Sequence, residues 1–140
     1  MTIRRIASEL ADEILSEDPV RPHITPALKS QPGREVYTLD GQAFVCVAFC
    51  SSIPRNEEEL LTSRIGPNCI PYTVWSDKKG AGRDIILALR DLMQGTHRVD
   101  RLVTLSPKTD EAKKFHLGLG ATHLRETEWA NNFEYSLFFT

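Results

Sequence analysis

The stretch from Ile70 to Leu105 constrains the fold more than any other part of the chain. A β-branched and aromatic run, Ile70 to Trp75, passes through Ser76-Asp77-Lys78-Lys79-Gly80-Ala81-Gly82-Arg83 into Asp84 to Gln94. There Ile85, Leu87, Ala88, Leu89, Leu92 and Met93 give a broad apolar helical face. A second short run, Arg101 to Leu105, follows. Strand, turn, helix, strand is a crossover unit, so the two strands are expected side by side and parallel with the helix packed across them. Ligands of such sheets sit at the carboxyl ends of the central strands, where the glycine turn and the break at Ser106-Pro107 both fall.

The flanking segments supply the rest of the layer. Arg34 to Leu39 and Ala43 to Phe49, joined through Asp40-Gly41, read as a β-hairpin, because Asp-Gly tolerates the positive φ of a tight turn. Thr2 to Leu15, with Ile3, Ile6, Leu10 and Ile14 spaced by three and four, reads as an amphipathic helix. Asp18 to Gly33 carries Pro19, Pro22, Pro26 and Pro32 and is expected to be a long ordered loop. Asn56 followed by Glu57, Glu58 and Glu59 marks a helix start, where the dipole favours carboxylates. A short helix is expected from about Thr109 to Leu117, stopped by Gly118 and Gly120, then strands at Thr122 to Glu126 and Phe133 to Phe139. The order is that of an α/β protein with a mixed (α+β) sheet and one parallel βαβ unit at its centre.

With 140 residues the chain is expected to form one domain, 1–140. No apolar run is long enough for a membrane span, and the charged N-terminal segment lacks a signal core, so the cytoplasm is the default location. Lys and Arg total 17 against 19 Asp and Glu, a net charge of -2 without a basic block, so nucleic acid is not an expected partner and any anionic ligand must be held locally. A homodimer is left open. Cys46, Cys50 and Cys69 make an odd count that fits free thiols. Cys46 and Cys50 in one strand stand roughly 13 Å apart. With His23, His97, His116 and His123 scattered, no metal site is expected.

Two segments carry chemistry. Lys78-Lys79-Gly80-Ala81-Gly82-Arg83, between strand and helix, is a candidate phosphate cradle: glycines let the backbone approach an anion, helical amides point at it, and three cations add charge. It has neither Walker nor dinucleotide-fingerprint spacing, and a plain βα turn with solvated lysines is the bland reading. The second is Ala112 to Ala121, AKKFHLGLGA. Together they resemble the GNAT superfamily of acyl-CoA-dependent N-acetyltransferases. Gly80 and Gly82 match the glycines of its pyrophosphate turn, and Ala112, Phe115, Gly120 and Ala121 match much of its second motif; Asp77 stands where that turn usually has Gln or Arg, and His116 where many members have tyrosine. The chain is similar in particular to the GNAT-fold C-terminal catalytic domain of the malonyl-CoA decarboxylase family, through Thr104-Leu105-Ser106-Pro107, Phe115-His116 with Gly120-Ala121, and Tyr72 through Gly82.

The resemblance implies a GNAT-like fold, mostly antiparallel with helices on both faces, that takes CoA or an acyl-CoA as substrate. Val74, Trp75, Lys78, Lys79, Gly80, Ala81, Gly82, Arg83 and Ser106 are the implied CoA-binding positions, and His116 with Ser76, or alternatively Thr73, the implied catalytic ones. Decarboxylation of a malonyl thioester leaves an enolate and needs donors at the thioester oxygen, a dry pocket and one acid. An unperturbed His116, near pKa 6.5, suits that acid, and a Ser76 hydroxyl could hold the carboxylate or the thioester oxygen. Acyl transfer instead needs a base, for which Glu57, Glu58 or Glu59 stand available, and an acid, His116 or Tyr135. A catalytically silent GNAT-like structural module is the third reading. On the residues alone, Trp75 and Trp129 read as packing, and Arg21 and His23 as surface-loop residues able to reach a substrate carboxylate.

Overall fold

The structure, a computed structural model, describes residues 2–96 and 98–137. His97 and the last residues of the expected C-terminal strand, Phe138 and Phe139, lie outside the described residues. Seven strands form one sheet in the order β1-β2-β3-β4-β5-β7-β6. They are β1 (Ile3–Ile6), β2 (Arg34–Leu39), β3 (Ala43–Cys50), β4 (Asn68–Ser76), β5 (Arg101–Val103), β6 (Thr122–Glu126) and β7 (Asn131–Tyr135). The helices are α1 (Ser8–Leu15), α2 (Pro26–Lys29), α3 (Glu57–Thr62), α4 (Ala81–Gln94) and α5 (Asp110–Gly118). As the sequence indicates, β4 and β5 pair parallel, with α4 between them in the chain, while the other pairings are antiparallel.

Each face of the sheet has its own apolar layer. On one, Ile85, Ile86, Leu89 and Met93 of α4 pack with Phe115 of α5 on Val45, Val47, Phe49 and Phe133. On the other, Ala11 and Leu15 of α1, Leu60 of α3 and Ile24 of the proline-rich loop cover Val36, Cys46, Ala48 and Ile70. β3 is buried along its whole length because both layers meet on it. Its alternating side chains serve the two layers in turn, which is why AFVCVAFC is apolar throughout rather than alternating. The three cysteines are free and buried, and burial raises their thiol pKa values. Among the described residues, no helix is long and apolar enough to cross a membrane.

The expected helix from Thr2 to Leu15 is corrected. Its first turn is the edge strand β1, paired antiparallel to β2 through Ile3↔Leu39 and Ile6↔Val36. Residues three apart lie on one helical face but on opposite faces of a strand, and Ile3 and Ile6 accordingly pack into different layers. The proline-rich loop also holds one helical turn, α2, capped by the Thr25 side chain. Pro26 stands in its first turn, where a missing amide leaves no bond unmade.

Candidate functional site

The parallel pair is short. β4 and β5 pair through Asn68↔Arg101 and Cys69↔Leu102, one further bond runs from the Leu105 N–H to the Pro71 carbonyl at 3.0 Å, and then the strands part. Both strands have a reason to diverge. The register of β4 on β3 jumps from Val47↔Pro71 to Cys46↔Thr73, so Tyr72 is an extra residue that bends the strand, and Pro71 offers no amide to continue a ladder. The chain after β5 stays with β7 instead: the Thr104 N–H donates to the Phe133 carbonyl, and Ser106 exchanges two 2.9 Å bonds with Asn131.

The split opens into a cleft of about 340 Å³ between Val74 and Ser76 on one side and Ser106 and His116 on the other. Gly82 stands at its rim. Here α4 begins at Gly80, in the left-handed region at φ 86°, with no side chain capping its first amides, whereas Thr25, Asn56 and Thr109 cap α2, α3 and α5. Lys78, Lys79 and Arg83 are exposed around this turn and Ala81 is buried beneath it. A Cβ added at Gly82 would meet only Ser76 Oγ at 3.7 Å and Val74 Cγ1 at 4.0 Å, ordinary contacts, so packing within the protein does not require glycine there. The first amides of α4 are uncapped beside Gly82, an arrangement that suits an anion.

His116 enters the cleft wall from α5 and is only 6% exposed. It stacks on Phe133, with ring centroids 5.1 Å apart, and meets Phe115 edge-on. Its Nδ1 lies 2.7 Å from the Tyr135 hydroxyl. Burial pushes the Tyr135 pKa up, so the phenol keeps its proton, and Nδ1 is the hydrogen-bond partner that the buried hydroxyl has among the described residues. Tyr135 is therefore assigned as donor, and the remaining ring proton sits on Nε2. Burial also lowers the His116 pKa from 6.5 to about 4. The sequence expectation of an unperturbed histidine is corrected: the ring on this cleft wall is neutral at pH 7, because an imidazolium there would lose its hydration.

The other expected residues separate by role. Thr73 is buried and its hydroxyl donates to Asp18 Oδ1 at 2.9 Å, so it is committed to the proline-rich loop. Ser76 is exposed, next to Gly82 at the start of α4, about 10 Å along β4 from Thr73. Trp75 stacks on Phe44, at 5.1 Å, as a packing residue that also borders the cleft. The Ser106 hydroxyl lies 2.7 Å from that of Thr104, which accepts the Phe133 N–H, so Ser106 also fastens the chain to β7.

Glu57 does not line this cleft. It lies with Glu58, Arg21 and the exposed Trp129 on a second cavity of about 430 Å³. Burial draws the Glu57 pKa up, but hydrogen bonds and charge from His23 and Arg21 more than reverse this and hold it below the usual range. Glu59 is paired with Arg55 and helps cap α3. Sequence reasoning placed Arg21 on a surface loop, whereas it is buried, and it missed Asp18 and Lys29, which form a fully buried pair at 2.5 Å. The signal was a 16-residue loop with few apolar residues, which polar contacts had to hold if it was ordered.

No protein-family model matches the sequence, and no curated protein matches it. Among solved structures the chain is similar to malonyl-CoA decarboxylase from Agrobacterium vitis, with 20% identity, 76% of this chain and 33% of that one covered, and a TM-score of 0.61. It spans about a third of that protein's length. It is also similar to the loading GNATL domain of CurA from Lyngbya majuscula, at 11% identity over 97% of both chains with a TM-score of 0.67. AtaTR bound with acetyl-CoA matches at 12% identity over 96% of this chain and 92% of that one, with a TM-score of 0.64. At such identities the likeness carries the architecture, and this chain has a GNAT-like fold.

Proposed function

We propose that the chain binds a CoA thioester along the β4–β5 cleft, with the pyrophosphate on the turn from Lys78 to Arg83, and decarboxylates a malonyl or related carboxyacyl thioester. The observation that carries this reading is His116: a buried ring on the cleft wall, fixed through Nδ1 by Tyr135, with Nε2 left for the substrate. The uncapped start of α4 beside Gly82 supports the phosphate end, and the solved AtaTR structure bound with acetyl-CoA supports a CoA thioester as the ligand of such a fold.

His116 is neutral before substrate arrives, and an incoming carboxylate favours its charged form, so substrate binding draws a solvent proton onto Nδ1, with the Tyr135 hydroxyl turning from donor to acceptor. When the bond to the carboxylate carbon breaks, CO2 leaves and the electron pair passes into the thioester as an enolate. The imidazolium then stabilises the enolate oxygen through Nε2–H and gives that proton to carbon; the ring is left neutral with its proton on Nδ1, and exchange with solvent restores the Nε2–H tautomer. Ser106 and the β4 edge at Val74 border the same space.

Incubation with malonyl-CoA and no acceptor tests the reading. Acetyl-CoA and CO2 are expected, and both are lost in His116→Asn. Absence of acetyl-CoA, with CoA released from acetyl-CoA only when an amine is added, would establish the second reading, acyl transfer. One observation favours that alternative: the cavity that holds Glu57, Glu58 and Trp129 shares Leu105 with the cleft.

A further inference from the structure

Past Pro71 and Leu105 the strands part, and one guanidinium takes a backbone carbonyl from each side, those of Tyr72 and Leu105. Arg21 Nε donates to the Tyr72 carbonyl at 2.6 Å and its Nη2 to the Leu105 carbonyl at 2.9 Å, while Nη1 donates to Glu57. The backbone of Arg21 is tied at both ends. Its N–H donates to Asp18 at 3.1 Å and its carbonyl accepts Lys29 Nζ at 2.9 Å. Asp18 also accepts from Lys29 and from Thr73, so the loop is fastened to β4 one residue from the carbonyl that Arg21 takes. The two cavities approach each other at this point: Leu105 lines both, Tyr72 the first and Arg21 the second.

We infer that Arg21 is a positioning residue that fixes the width of the split and closes it, so that neither water nor an acceptor in the second cavity reaches a thioester in the cleft. Two facing carbonyl oxygens repel, and each costs free energy if buried without a donor. A planar guanidinium holds its donors at fixed spacing and so sets the separation of the two carbonyls; an ammonium on a flexible stem does not. The closure matters because a thioester is open to hydrolysis. That chemical consequence rests on the proposed decarboxylation, whereas the structural one does not.

Arg21→Lys and Arg21→Ala test this with two readouts. In the protein without substrate, amide hydrogen exchange of Leu105, whose N–H bonds Pro71, is expected to rise by roughly tenfold or more in both variants while unfolding stays cooperative. Unchanged exchange at Leu105 overturns the inference whatever the activity. With malonyl-CoA, the wild type is expected to give acetyl-CoA, and Arg21→Ala to release free CoA and malonate. In that leak water oxygen adds to the thioester carbonyl, the C–S bond breaks, and the thiolate takes the proton. The ratio of free thiol to acetyl-CoA is expected to rise by about tenfold, with the affinity for CoA itself unchanged because its phosphates bind elsewhere. An equal ratio in wild type and variant overturns the closing role. If the wild type binds no thioester, the proposed function fails, and Leu105 exchange alone decides the role of Arg21.

Discussion

Replacing His116 by glutamine isolates the energetic signature of its burial. The folded protein holds this ring neutral, with a pKa lowered from 6.5 to about 4 by loss of hydration. As pH falls through about 6.5 the unfolded chain takes up the proton first, so stability is lost from there until the folded ring also titrates near pH 4. At 1.36 kcal/mol per pKa unit the full loss is about 3 kcal/mol, of which about 2 kcal/mol has developed by pH 5. Asp18, Glu57 and Glu134, whose pKa values are lowered by their partners, add their own losses at more acid pH, equally in both proteins. A glutamine side chain at this position would retain an acceptor for the Tyr135 hydroxyl and has no charge to gain. Urea unfolding of wild type and His116→Gln at about pH 7.5 and about pH 5 gives the comparison. The wild type is expected to lose about 2 kcal/mol more than the variant across that interval. Equal losses would refute the neutral, buried ring on which the proposed proton cycle depends.

Three further outcomes are expected. Gly82→Ala leaves the fold intact, since its Cβ meets only ordinary contacts, whereas Gly82→Glu puts a carboxylate at the phosphate end of the cleft; calorimetry with CoA should show affinity retained in the first and lost in the second. Lys29→Met leaves Asp18 buried without its cation and should cost about 3–5 kcal/mol in urea unfolding, more than Arg55→Ala, which removes an exposed pair with Glu59 but leaves the Glu59 bond to the residue 55 amide. Gly66→Ala would bring a Cβ within 2.3 Å of Ser51 Cα and 2.6 Å of Ser51 N, both backbone, and should cost about 3 kcal/mol or more by the same measurement.

Local chemistry made much of the fold legible. Asp40 and Gly41 both adopt positive φ at the hairpin turn, Asn56 caps α3, and the alternation of strand and helix from β4 to β5 gives the parallel pair. Spacing failed at β1, because Ile3 and Ile6 satisfy a helical face and a two-faced strand alike, and only pairing with β2 decides. The glycine turn and His116 were visible as residue types at motif positions, and Gly82 and His116 line one cleft. The environment of His116 was not, since its low pKa comes from residues brought in by β7, and Phe133 and Tyr135 are 17 and 19 positions away. Arg21 was illegible for the same reason: its partners at Glu57, Tyr72 and Leu105 are distant in the chain, and nothing local to a proline-rich loop shows that two parted strands need a cation between them.

Calorimetric titration of the wild-type protein with CoA tests the central claim most directly. Saturable heat in the micromolar range, one CoA per chain, is expected, and the same titration of Gly82→Glu should lose it. No heat with the wild type at millimolar CoA would contradict a thioester site in the β4–β5 cleft and leave a GNAT-like fold without that ligand.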